Sequence, residues 1–287
     1  MNCCISIIIP TRNRYDYILD LMSDLKNQTV KNLEIIVVDQ STNKQVLADV
    51  HQINDDGIGP CRSRNIGARN ASGDILIFLD DDGRVDSNFI KELTKPIVEG
   101  KFVAVAGSIC DPQGNYLFYE NEFLERNDYN FIKSLTRNPD SPNSRITMSF
   151  PGGCSAVLKE VFFEIGGFDA DFDPTGAAED REMAINLFKH GYGIWYNAKA
   201  KFLHLGAKTG GSRDIGDRAM MLDINTYKIC KKHFSKELTR SLGKTIISRY
   251  REDFIKALKN GKLIRTKYNL YKNVKKGINK VSLNNKQ

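Results

Sequence analysis

The stretch ILIFLDDDG, Ile75 to Gly83, runs five consecutive apolar residues straight into three carboxylates and a glycine. The apolar run has strand length, and a strand without polar alternation is buried on both faces, as in parallel sheets covered by helices. Working outward, similar runs stand at Ile5 to Ile9, which Pro10 is expected to halt, and at Leu33 to Asp39. Between those two, Tyr15 to Asn27 has helical spacing, with Ile18, Leu21, Met22 and Leu25 on one side. Strand, helix, strand in this order implies a right-handed crossover. Gly59 to Ser72 reads as a helix capped by Gly73, Asn88 to Glu99 as a helix closed by Gly100, and Phe102 to Gly107 as a short strand. The alternation predicts an α/β fold with a mostly parallel central sheet.

Beyond Asp111 the pattern weakens as far as Ser149, which reads as an insertion or loop-rich connection. Regular structure restarts over Met148 to Leu158, around Gly152 and Gly153. A helix follows over Glu179 to His190, then a strand, Ala200 to Leu205, that carries His204. From Met221 the chain turns helical, with Ile246, Tyr250, Phe254 and Leu258 recurring every fourth residue between Lys and Arg. The predicted division is an α/β domain over residues 1–230 and a basic helical extension over 231–287.

Of 287 residues, 42 are Lys or Arg and 35 Asp or Glu. That net charge of +7 conceals a split: from Lys231 onward 17 basic residues face 3 acidic ones, about +14, leaving about −7 for the rest. The start, MNCCISIIIP, lacks the basic n-region of a secretory signal, and no apolar run approaches the roughly 20 residues of a membrane-spanning helix. Six cysteines without CxxC spacing suggest neither a zinc site nor a redox motif, and fit buried small hydrophobes in a reducing cytoplasm.

Ligands of parallel α/β sheets bind at the carboxyl ends of strands. Asp39 stands at one such end, the Asp80–Asp82 run at another, and Glu179 and Asp180 lie beyond Gly176. Carboxylates projecting into a cleft suit a hard cation such as Mg²⁺ or Mn²⁺, though Asp-Asp-Gly is equally good turn chemistry. His204 can be a core histidine or a ligand, and Asp180 a first-turn acid or a base. Gly57-Ile58-Gly59 is no dinucleotide fingerprint, because Arg62 replaces the third glycine.

Taken in order, seven segments are more specific than any one: SIIIPTRNR (from Ser6), VVDQS (from Val37), RNIGARNASGD (from Arg64), ILIFLDDD (from Ile75), GGCSAVLKEVFFEIGGFD (from Gly152), AEDREMAINLFKHGY (from Ala178) and AKFLHLG (from Ala200). This succession resembles the family-2 inverting glycosyltransferases of the GT-A fold, of bacterial or archaeal polysaccharide type, over about residues 3–215. The resemblance implies a nucleotide-sugar-binding domain. Pro10, Thr11 and Arg12 would hold the nucleotide base, Asp39 the base or ribose, and Arg64 would order the donor cleft. Asp80, Asp81 and Asp82 look like the DxD element, the first contacting the ribose and Asp82 binding a divalent cation, Mn²⁺ or Mg²⁺. His204 matches a further metal ligand. Asp180 matches the catalytic base, with Glu179 and Gly153 on the acceptor side. Lys208 and Arg213 would close over the departing diphosphate. A single displacement needs no carboxylate nucleophile, hence the expected inversion.

Two other readings compete. A sugar nucleotidyltransferase usually carries a Gly-rich basic loop after its first strand, and SIIIPTRNRYD has no glycine. A non-catalytic binding protein of the same fold would have no use for Asp82, Asp180 and His204 together. The expected partners are a nucleotide-diphosphate sugar and a glycan or lipid-linked acceptor. The basic extension suggests a cytoplasmic enzyme peripheral at the inner face of the membrane, with Tyr250 and Phe254 as its apolar side. No nucleic-acid partner is expected, since the acidic body opposes a continuous basic groove.

Overall fold

The computed structural model describes residues 4–116 and 141–283. The first unit comprises the described residues up to Gly216 and the second begins at Asp217. Most of the segment from Asp111 to Ser149, read as an insertion, lies outside the described residues.

Among the described residues of the first unit, nine strands form one sheet, ordered β3-β2-β1-β4-β8-β6-β9-β5, with β7 paired to β9. They are β1 (Ile5–Thr11), β2 (Leu33–Asp39), β3 (His51–Asn54), β4 (Ile75–Leu79), β5 (Gly83–Val85), β6 (Ala104–Cys110), β7 (Arg145–Thr147), β8 (Cys154–Leu158) and β9 (Ile194–His204). The pairs β1–β2, β1–β4, β2–β3 and β6–β9 are parallel, while β8 runs antiparallel between β4 and β6. The carboxyl ends of β1, β2, β4, β6 and β9 therefore share one edge of the sheet. The amino end of β8 meets them there.

The strands are hydrophobic on both faces because helices cover the sheet. These include α1 (Tyr15–Lys26), α2 (Pro60–Asn70) and α3 (Phe89–Val98), then α4 (Lys159–Glu164) and α5 (Glu179–Lys189). Ile7, Ile9, Ile77 and Leu79 meet Ile18 and Leu21 of α1 and Phe89 and Leu93 of α3 in one buried cluster. Cys61, Cys110 and Cys154 are buried, as small apolar side chains should be, whereas Cys4, just before β1, is exposed and departs from the burial expected of the cysteines.

Three details depart from expectation. Pro10 does not halt β1, which continues to Thr11 opposite Asp39. The ladder to β4 ends at Ile8, so Pro10 sits where one side of the strand no longer needs a donor. The strand carrying His204 begins at Ile194, six residues earlier than its apolar end suggests, because Asn197, Lys199 and Lys201 interrupt it. The short β5 leaves no apolar signal in the sequence.

In the second unit α6 (Arg218–His233), α7 (Lys236–Asn260) and α8 (Ile264–Leu283) pack around Tyr227, Cys230, Leu242, Ile246, Val274 and Ile278. The side chains of Asp217 and Ser235 cap α6 and α7 by accepting from Met220 N and Leu238 N. The helical array thus takes in residues 217–230, which the sequence groups with the α/β domain. No described helix is long and apolar enough to cross a membrane.

Candidate active site

The site forms where β4 ends. The run after Leu79 turns directly into β5, and β5 pairs antiparallel with the end of β9, placing Gly83 opposite His204. Leu205 N donates to the Asp82 carbonyl at 2.8 Å and Ala207 N to the Asp82 carboxylate at 2.9 Å. This pairing brings together two groups more than a hundred residues apart: His204 Nε2 lies 3.4 Å from Asp82 Oδ1. Gly83 permits it, since a Cβ there would stand 1.8 Å from the Phe202 ring.

One ligand atom each from Asp80, Asp82 and His204 lies within 4.8 Å of the others. Two carboxylates and an imidazole are a ligand set that divalent cations take. Burial by itself would raise the Asp82 pKa, but His204, Arg14 and the Ala207 amide outweigh it and bring the carboxyl down to about 2. Asp82 is therefore ionised, as a ligand must be. Pairing with Asp82 in turn raises the pKa of His204. The donor set fits a divalent cation.

Asp81 points elsewhere. It is buried, accepts from Thr11 Oγ1 at 2.8 Å and pairs with Arg14 at 2.9 Å. Burial raises its pKa, with Asp82 adding to the effect and Arg14 opposing it. Of the three Asp residues, the outer two group with His204 and the middle one faces Arg14. Pro10 precedes this contact at the end of β1. Arg12 donates to the Gly211 carbonyl at 3.2 Å. Asp39 is wholly buried and accepts from the Tyr15 hydroxyl, Ser41 N and Gln52 Nε2.

Arg64, on α2, connects the two acidic groups. It reaches Asp80 Oδ1 and Glu179 Oε1, each at 3.0 Å, while its guanidinium lies 5.1 Å from the Phe168 ring centre. Its buried Nε has no hydrogen-bond partner among the described residues. A Cβ at Gly152 would stand 2.7 Å from the Arg64 guanidinium, and one at Gly153 2.2 Å from the Asp80 carboxylate. Both glycines are required by close approach. Asp173 holds the loop before α5 against α2, accepting from Cys61 N and Arg62 N at 3.1 and 2.9 Å. That loop delivers Glu179 and Asp180 to the first turn of α5. Glu179 is committed to Arg64, whereas Asp180 accepts from Arg181 N at 2.8 Å and is half-buried.

The loop after β9 folds over the acidic run. Arg213 lies 3.7 Å from Asp82 and donates to the Ala207 carbonyl, while Lys208 is exposed. Sequence reasoning assigns Arg14 no role, yet it donates to the Thr209 and Gly210 carbonyls at 2.9 and 3.1 Å. Its signal is a second arginine two residues past Arg12, in a strand-end loop facing an acidic run.

Residues 6–166 match the family model described as glycosyl transferase family 2. The chain belongs to that family. It is 27% identical over 196 residues to an uncharacterized glycosyltransferase of Haemophilus influenzae, covering 64% of this chain and 62% of that protein. It is 26% identical over 198 residues to the GalNAc(5)-diNAcBac-PP-undecaprenol beta-1,3-glucosyltransferase of Campylobacter jejuni, covering 64% and 60%. The chain thus spans about three fifths of the length of these relatives. Among solved structures, the mannosyltransferase PcManGT of Pyrobaculum calidifontis, in complex with GDP-Man and Mn²⁺, superposes with a TM-score of 0.60 at 14% identity, covering 99% of this chain and 87% of that one. GalNAc-T7 with UDP, GalNAc and Mn²⁺ gives 0.59 at 16%, covering 80% and 48%. At such identities the likeness establishes the fold, which is GT-A.

Proposed function

We propose that this family member is a metal-dependent inverting glycosyltransferase that moves a sugar from a nucleotide diphosphate to an acceptor hydroxyl. The observation that carries the reading is the convergence of Asp80, Asp82 and His204 within 4.8 Å at the carboxyl edge of a parallel sheet. Asp82 and His204 would hold the cation with Asp80 beside them, and the cation when bound would offset charge on the departing diphosphate. Asp180 is the base that takes the acceptor proton. It lies next to Glu179, whose pairing with Arg64 leaves Glu179 the positioning role. Pro10, Thr11, Arg12 and the buried Asp39 belong to the donor side, and Lys208 and Arg213 to the loop that closes on the diphosphate.

The acceptor we propose is a glycan under construction, lipid-linked, in cell-surface polysaccharide synthesis. The named activity of the Campylobacter jejuni relative, on a polyprenyl-diphosphate glycan, supports that choice. The basic helices would hold the enzyme at the inner, anionic face of the membrane.

A thermal-shift screen of UDP-, GDP- and dTDP-sugars with and without Mn²⁺ tests the donor half. Stabilisation by one nucleotide family only when Mn²⁺ is present is expected. Equal stabilisation with EDTA would remove the cation from the reading.

A further inference from the structure

Helix α8 has two faces. Val274 and Ile278 enter the helical core, with Val281 packed beside them. Lys272, Lys276 and Lys280 lie on the opposite face and Lys275 on its flank, and the four line a shallow cleft of about 650 Å³ with Tyr268 and Leu283. Over its twenty residues α8 holds six basic side chains and no acidic one. Lys272, Lys276 and Lys280 follow one another at i, i+4, a spacing at which like charges repel along a helix. Such a row suits a surface that supplies the missing negative charge.

The apolar residues sit at its two ends. Tyr268 is 45% exposed and Leu283 63% exposed. Fifteen residues separate them, about 22 Å along the axis. Tyr250, expected on the lipid side, instead donates its hydroxyl to buried Asp223 at 2.9 Å. Phe254 is half-buried and packs its ring against those of Tyr268 and Tyr271. Neither is the inserting group.

We infer that the exposed face of α8 is the membrane-docking surface, lying flat on an anionic bilayer with its lysines on lipid phosphates and Tyr268 and Leu283 dipping among the headgroups. The inference rests on the reading that the basic helices meet a membrane, and assigns that contact to one face of one helix. It excludes the exposed side of α7, a helix whose seven basic residues are offset by Glu237, Glu252 and Asp253.

Co-sedimentation of the full chain with mixed phosphatidylglycerol–phosphatidylcholine vesicles tests it, with phosphatidylcholine alone as the neutral arm. One variant converts Lys272, Lys275, Lys276 and Lys280 to Glu. The other converts Lys244, Arg251, Lys256 and Lys259 of α7 to Glu, an equal change in charge. Circular dichroism checks that both remain helical. Wild type should bind the anionic vesicles and release as salt rises. The α8 variant should lose about two orders of magnitude in apparent affinity, and the α7 variant less than about a fifth of that in logarithmic terms. Equal losses in the two variants would overturn the assignment to α8 while leaving membrane binding intact. No vesicle binding by wild type, or tighter binding to single-stranded RNA than to vesicles at equal salt, would overturn membrane docking itself.

Discussion

Arg14 Nη1 lies 2.9 Å from Asp81 Oδ1, and the same guanidinium donates to the carbonyls of Thr209 and Gly210. One side chain thereby fastens the loop after β9 to the middle residue of the acidic run. Gly210 and Gly211 adopt φ of +73° and +55° above it, and a Cβ on either would meet Arg14 at 2.8 Å. The loop takes this course because two glycines let its backbone approach the planar group.

Arg14→Met should release that loop. Trypsin is expected to cut after Lys208 or Arg213 faster than in wild type. Urea unfolding should show a loss of up to about 3 kcal/mol, since a buried carboxylate loses its partner. Arg14→Lys should rescue little, because an ammonium cannot reach the carboxylate and two carbonyls in one plane. An unchanged cleavage rate in Arg14→Met would show that the loop is held by its other contacts.

Asp82→Asn should abolish Mn²⁺-dependent donor binding measured by calorimetry. The fold should persist, as followed by circular dichroism. Chelation should reproduce the effect in wild type, and turnover that survives thorough chelation would refute the cation's role.

Asp180→Asn should leave donor affinity nearly unchanged and lower the single-turnover rate by about 10²–10⁴-fold. Glu179→Gln should act differently, loosening Arg64 and lowering thermal stability along with donor binding. A crippled rate in Glu179→Gln with an active Asp180→Asn would exchange the two roles.

Gly153→Ala forces the Asp80 carboxylate away from its place. A cost of about 1–3 kcal/mol is expected for the overpacking, with weaker Mn²⁺ binding as the specific readout. Calorimetry on the folded variant separates the two effects.

Arg62 holds the carboxyl of Asp55 down to about 2 in the folded protein. A depressed carboxylate stabilises the fold above its unfolded pKa, near 4, and that contribution is lost as pH falls from there through about 2. Arg62 is half exposed, so solvent screening limits the effect to about 1 kcal/mol. Asp55→Asn should flatten the acid limb of the stability curve, and Arg62→Gln should do the same.

The strand runs at Ile5, Leu33 and Ile75, the helices between them, and the acidic residues at strand ends are all legible in the sequence, because burial on both faces leaves an uninterrupted apolar record. So is the order of motifs that marks the family. The polar alternation of β9 and the three residues of β5 leave no such record, and the carboxyl-edge cluster depends on both.

By itself, then, the sequence determined an α/β sheet with carboxylates at one edge and a strongly basic helical end, since hydrophobic period and charge are local properties of the chain. Only the tertiary structure decided which groups meet. The register placing Gly83 opposite His204 brings Asp82 within 3.4 Å of the imidazole. The packing of α2 lets Arg64 span Asp80 and Glu179. The helical core draws Tyr250 inward and leaves the lysines of α8 outside. These are contacts between residues from sixteen to more than a hundred positions apart, and no periodicity in a single segment encodes them.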